Sequence, residues 1–239
     1  MDQSAKCGGW SAVAMGTSPA LIGDDGRVPL LVEPALPSGS LRTIDQPCLA
    51  INEQLALRPW RVEDASSVRT AFACPDIQRW HVRRMDSDDE ARSWITDWTK
   101  RWDDETDASW AIVCRRDDQA IGQVGLRTVM LFEASAQLSY WVLPAARGTG
   151  IAVQAVQALT TWAFDTVKLN RLGLLHSTAN LPSCRVAQKA SFGLEGTLRG
   201  HARHADGWHD MHLHARRRAD AEPFLGLDQT HRRGQDRSG

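Results

Sequence analysis

The stretch Tyr140–Gln154, YWVLPAARGTGIAVQ, decides how this chain folds. An apolar run ends at Pro144, which lacks the N–H that a strand ladder needs. Gly148 and Gly150 then free the backbone for conformations closed to other residues. From Ile151 the apolar positions 151, 155, 156, 159, 162 and 163 follow helical spacing, which predicts a helix over 151–167. The first N–H groups of such a helix have no intrahelical partner and carry the positive end of its dipole. A pyrophosphate placed there would accept those N–H bonds without a metal, and Arg147 would add a charge-assisted contact. An ordinary strand–turn–helix reads the same way, so both readings stand on this motif alone. No Gly-Lys-Ser/Thr follows, and Val153 occupies the third glycine position of a dinucleotide fingerprint, so neither nucleotide loop applies.

Upstream, LALRPWR from Leu55 alternates as a strand, VEDASSVRTAF reads as a helix ended by Pro75, and Ser87–Trp102 is a second helix. Ser87 with Glu90 three residues on has the pattern of a capping box. Trp94, Trp98 and Trp102 sit four apart on one face, either as a core stripe or with one ring also lining a cleft. SWAIVCR from Ser109 and IGQVGLRTV from Ile121 form a hairpin, and AQLSYWVL from Ala136 a third strand. Downstream come a strand over Arg171–Ser177, a short helix SCRVAQKA, and a final hairpin turning at Ala205-Asp206-Gly207. This order predicts an α+β fold: a mainly antiparallel mixed sheet, flanked by helices, with one βαβ crossover. Residues 1–27 read as disordered, 28–54 as an extended arm marked by Pro34, Pro37 and Pro47, 55–218 as the folded domain and 219–239 as a flexible tail.

Composition bounds the partners. The 28 basic and 29 acidic residues leave a net charge of -1, so no global attraction to nucleic acid or anionic membrane is expected. The five cysteines are widely spaced, and no pair forms C-x-x-C; this predicts neither a disulfide framework nor a zinc ribbon, and a cytoplasmic compartment. No stretch reaches the ~18 apolar residues of a membrane helix. A monomer or a homodimer suits this composition equally.

In order and spacing, these segments resemble the GCN5-related N-acetyltransferase (GNAT) superfamily, in the branch that includes ribosomal-protein N-terminal acetyltransferases. LALRPWRVEDA is similar to its opening strand and helix, SWAIVCRRDDQAIGQVGL to its central hairpin, LSYWVLPAARGTGIA to its acetyl-CoA loop, and TANLPSCRVAQKASFGLEGTLR to the second half of the site. The resemblance implies acetyl-CoA as acetyl donor and no metal. It places the pantetheine arm along Trp141, Val142 and Leu143, and the pyrophosphate on the amides of Arg147, Gly148, Thr149, Gly150, Ile151 and Ala152. Asn180 would bond the pantetheine, and Ser183 would lie near the leaving thiol; equally, Ser183 suits the cap of SCRVAQKA. Departures from the family pattern fall at Ala145 in the loop, at Gln137 where Glu is frequent, and at Ala202 where the ribosomal branch holds a proposed basic Glu.

An amine must be neutral to attack a thioester, so a base or water chain must take its proton. His201 and His204 on the final hairpin are the first choices because imidazole titrates near neutrality. Exposed strand histidines are the alternative reading, and Glu133, Glu195 and Asp210 are further candidates. Five histidines fall in this hairpin, yet no carboxylate or thiol pattern completes a metal site, and Cys184 reads as packing. The acceptor cleft is expected around Trp80, His81, Trp94, Asp97 and Trp98, with Asp97 and Asp88 attracting a cationic acceptor. A small amine-bearing molecule such as an antibiotic is the first expectation. A protein N-terminal amine and a non-catalytic acyl-CoA-binding module are the alternatives.

Overall fold

The computed structural model describes residues 30–221. The extension expected over 1–27 and the tail from 222 onward lie outside the described residues. The unit described below starts at Pro34.

Its strands are β1 (Leu49–Ala50), β2 (Leu55–Pro59), β3 (Ala108–Cys114), β4 (Ala120–Met130), β5 (Ser135–Val142), β6 (Arg171–Ser177), β7 (Gly193–His204) and β8 (Gly207–Arg217). They form one sheet in the order β1-β2-β3-β4-β5-β6-β8-β7. Every pairing is antiparallel except β5 with β6. That parallel step needs a crossover, and α4 (Ile151–Asp165) supplies it. The remaining helices are α1 (Ala65–Ala73), α2 (Pro75–Gln78), α3 (Asp88–Asp103) and α5 (Leu181–Lys189). Two elements add to the sequence reading, the short β1 and α2. Pro75 does close α1, and it also opens α2 as its first residue, where a missing N–H costs nothing.

The capping box of α3 forms: Ser87 Oγ accepts from Glu90 N–H while the Glu90 carboxylate accepts from Ser87 N–H. One core lies between α4 and the sheet, where Leu159 and Ala163 meet Val124, Leu126 and Leu172. Trp102 and Trp110 join Trp162 there, with ring centroids 6.2 and 5.2 Å from it. A second cluster packs α1 and α3 onto Trp141 through Val68, Phe72, Ala91 and Ile95. The tryptophan stripe therefore serves both purposes, because Trp102 is core while Trp94 and Trp98 reach the cleft described below.

The segment from Pro34 to Cys48 is anchored. Leu41 is fully buried, and the buried Glu105 carboxylate accepts N–H bonds from Gly39 and Leu41, both at 2.7 Å. Trp102 and Trp110 donate their indole N–H groups to the carbonyls of Ile44 and Pro47. Among the described residues no helix is long and apolar enough to cross a membrane.

Candidate active site

The parallel pairing of β5 with β6 runs only from Ser135–Leu138 against Arg171–Leu174. Beyond it β5 stays on β4 as far as Val142, and β6 stays on β8 as far as Ser177. The strands part, and a wedge opens in mid-sheet. Two cavities lead from it, one of about 640 Å³ toward the glycine loop and one of about 380 Å³ toward α3 and the final hairpin. They meet at Trp80, His81, Tyr140, Trp141, Asn180 and Ser183.

The larger cavity is built on the turn between β5 and α4. Gly148 and Gly150 both have φ of +82°, and Gly150 is the N-cap of α4. A Cβ at Gly148 would meet nothing within 4 Å, so the loop leaves open space in front of the helix N-terminus. Arg147 is partly committed: its Nε donates to Val142 O at 3.0 Å and its guanidinium pairs with Asp76 at 2.8 Å. Thr149 turns its hydroxyl to Ala146 O and lines neither cavity. Leu143 lines neither cavity either. Its N–H is taken by Ile121 O at 2.9 Å, and its side chain packs in the second cluster. Val142, Ile151 and Ala152 line the cavity, and Arg79, Arg185 and Lys189 bring positive charge to it.

At the junction, Asn180 caps α5 by accepting Ser183 N–H at 3.2 Å. The helix starts two residues earlier than expected, so Ser183 is not its cap. The Ser183 hydroxyl instead accepts from the Tyr140 phenol at 3.0 Å. Burial pushes that phenol up to about 12, so Tyr140 stays protonated and acts as a donor. His81 is pushed down to about 4 by burial and then by Arg127 and Arg83, which keeps its ring neutral.

The smaller cavity holds Trp80, Trp94 and Trp98 beside Arg83, Arg101, Arg127 and Asp97. Asp97 pairs with Arg101 at 2.6 Å, and Asp88 pairs with Arg69, so neither carboxylate is free to draw in a cation. Arg101 and Arg127 also share Asp107, while Arg83 has no carboxylate partner among the described residues.

Residues 54–193, more than half the chain, match the family model of the Acetyltransferase (GNAT) domain. The chain belongs to the GNAT acetyltransferase family. Its activity is acetyl-CoA-dependent N-acetyl transfer. An uncharacterized GNAT relative, the N-acetyltransferase YoaA of Bacillus subtilis (strain 168), is 25% identical over 148 residues, 62% of this chain and 84% of that one. The ribosomal-protein-serine acetyltransferase of Escherichia coli (strain K12) is 30% identical over 101 residues, 42% and 56% of the two chains. Among solved structures, the ribosomal α-N-protein acetyltransferase RimL in complex with coenzyme A superposes with a TM-score of 0.67 at 19% identity, covering 72% of this chain and 98% of that one.

Their places in the sheet separate the two histidines expected as bases: His204 lines the smaller cavity, edge-on to Trp80, whereas His201 is exposed and lines neither cavity. His201 lies in the irregular stretch of β7 between Leu198 and Ala202, beside Gly200 at φ +55°, whereas His204 is in the ladder opposite Gly207. Glu133 is exposed, Glu195 is bound to Arg171, and Asp210 accepts Gly200 N–H at 2.7 Å. Sequence reasoning missed His209. Its Nε2 lies 2.8 Å from Asp206 and its Nδ1 2.7 Å from the buried Ser177 hydroxyl on the cavity wall. The Asp206 carboxylate can only accept, so the proton sits on Nε2 and Nδ1 presents a lone pair to Ser177. Tyr140, the only tyrosine of the sequence, carries no local pattern that marks a role. Cys184, read as packing, faces the rings of His176, His212 and His214.

Proposed function

We propose that this GNAT enzyme acetylates a primary amine on an acceptor that also carries an acid group. The observation that carries the reading is the junction of the two cavities, where a thioester from one side and an amine from the other would meet over Tyr140 and Ser183. The Gly148, Gly150, Ile151 and Ala152 amides, with Arg79, Arg185 and Lys189 around them, hold the cofactor's phosphates; acetyl-CoA supplies the activated acetyl group. Ser177 takes the amine proton and passes its own to His209, whose ring Asp206 orients. Tyr140, through Ser183, gives a proton to the departing thiolate, and solvent then reprotonates the phenol and takes the proton held by His209. An imidazole as neutral as His81 beside the junction keeps further positive charge away from the amine.

Three guanidiniums face one carboxylate in the acceptor cavity wall, with Asp107 behind it. This favours an amino-acid-like small molecule over a polycationic antibiotic, because the excess charge repels polycations. A peptide N-terminus is the second reading, supported by the relatives named as ribosomal-protein acetyltransferases. Thiol release from acetyl-CoA across a panel of amines tests the proposal. Acid-bearing amines and acidic N-terminal peptides should turn over faster than polycationic amines; preference for polycations overturns it.

A further inference from the structure

Three imidazoles and one thiol converge at the base of the wedge. β6 pairs with β8 in a register that sets His176 directly opposite His212, with His214 two residues along on the same face. Cys184 comes to them from the first turn of α5. One donor atom from each of His176, Cys184, His212 and His214 lies within 4.8 Å of all the others. His176 is buried and His214 fully so, while His212 and Cys184 are half-buried.

The hydrogen bonds fix what these rings present. His176 Nδ1 lies 2.8 Å from Ser177 O, and His214 Nδ1 lies 3.2 Å from Phe192 O. A carbonyl only accepts, so each Nδ1 carries the ring proton and each Nε2 is a bare lone pair. Both Nε2 atoms are buried without a hydrogen-bond partner, as is His212 Nδ1. Among the described residues no hydrogen bond fixes the His212 tautomer, so its Nδ1 and the Cys184 thiol can each donate to one of these lone pairs; a cation bound among the four instead takes a lone pair from every one of them. A backbone carbonyl behind each metal-facing ring is also the arrangement that orients histidine ligands.

We propose that His176, His212, His214 and Cys184 form a tetrahedral site for a divalent transition metal, zinc above all. Three imidazoles and a thiolate are donors that zinc selects, and oxygen-seeking magnesium and calcium are excluded. Zn–N bonds of 2.0–2.1 Å and a Zn–S bond of about 2.3 Å imply ligand separations of roughly 3.3–3.6 Å. The four groups therefore need to close only by about 1 Å. Binding releases the thiol proton to solvent and leaves the imidazoles neutral, so metal and thiolate together carry one positive charge. Four protein ligands leave no open position. The metal is a staple that ties the start of α5, with Asn180 and Ser183, to the paired strands β6 and β8.

The test uses the full chain, stripped with a chelator and titrated with Co²⁺ alone. One Co²⁺ per chain should bind, with the visible d–d bands of a four-coordinate ion and a thiolate-to-cobalt charge-transfer band in the near ultraviolet. Zn²⁺ should displace it. Loss of an outer partner of a metal ligand weakens binding 10–100-fold, so loss of a ligand should exceed about 100-fold. Cys184→Ala should do so and abolish the charge-transfer band, whereas Cys48→Ala, at an exposed thiol elsewhere, should do neither. His212→Ala serves as the second variant if Cys184→Ala fails to fold. No stoichiometric binding by the unaltered chain, or a spectrum unchanged in the folded variants, overturns the proposal.

Discussion

Gly148→Glu probes the cofactor loop directly. Gly148 sits at φ +82° with open space where a Cβ would go, so the protein itself offers no clash. A side-chain-bearing residue in the left-handed region costs about 1–2 kcal/mol. At roughly 2–4 °C per kcal/mol for a domain of this size, the melting temperature should fall by about 2–8 °C. The new carboxylate would project into the phosphate's place. Two unit charges 4 Å apart repel by about 4 kcal/mol at an effective dielectric of 20. Screening at an open loop reduces this, so about 2–4 kcal/mol is expected, which weakens coenzyme A binding by roughly 30- to 1000-fold. Gly148→Ala separates the two effects, since it carries the backbone strain without the charge or the reach. Calorimetric titration with coenzyme A and a thermal melt measure both. A folded Gly148→Glu chain that binds coenzyme A within about threefold of the unaltered one refutes the loop assignment.

Ser183→Ala and Tyr140→Phe should each lower kcat, by about 10²-fold for the phenol, with little change in KM for acetyl-CoA, because Asn180 and not Ser183 caps α5; an unchanged kcat in both variants removes them from proton transfer. His209→Gln should lower kcat by about 10²-fold while His201→Gln leaves it intact, and the reverse pattern would return the base to His201. His81, held near 4 against an ordinary value of 6.5, favours the folded state above pH 6.5 and loses that contribution as pH falls from 6.5 to 4, by on the order of 3 kcal/mol. His81→Phe should therefore reduce the steepness of acid unfolding in that window, and an unaltered slope contradicts its burial as a neutral ring. Leu41→Ala should cost about 2–5 kcal/mol by denaturant unfolding; a loss below 1 kcal/mol would show that the segment from Pro34 merely rests on the domain.

Where hydrophobic period and turn residues agree, the sequence was legible. The strand over Arg171–Ser177 and the helix opening at Ile151 were both read at their observed starts, because Gly150 and the apolar alternation mark them. Contacts set by register were not legible. The Ser177–His209–Asp206 chain joins residues 29 and 32 positions apart through the β6–β8 ladder, which no local pattern reports. Cys184 looked inert because its histidine neighbours come from two other elements. His201 and His204 looked alike in sequence, and the irregular register of β7 gives them different surroundings. Arg185 and Lys189 reach the cofactor cavity from a helix whose charge pattern resembles any solvated face.

The parting of β5 and β6 leaves Ser139–Trp141 without a strand partner on the β6 side, with Val142 O taken by Arg147, which amounts to a free sheet edge inside the molecule rather than at its rim. Free edges invite whatever extended chain is at hand, and proteins usually blunt them. This one stays open between α4 and α5, and under the proposed function a pantetheine arm, which carries amides of its own, would serve there as a strand of a different chemistry. Closing that edge is worth RT ln(1 + [L]/Kd), about 2.7 kcal/mol at a hundredfold excess over Kd. On that proposal, resistance of this chain to unfolding and proteolysis should rise and fall with the concentration of coenzyme A.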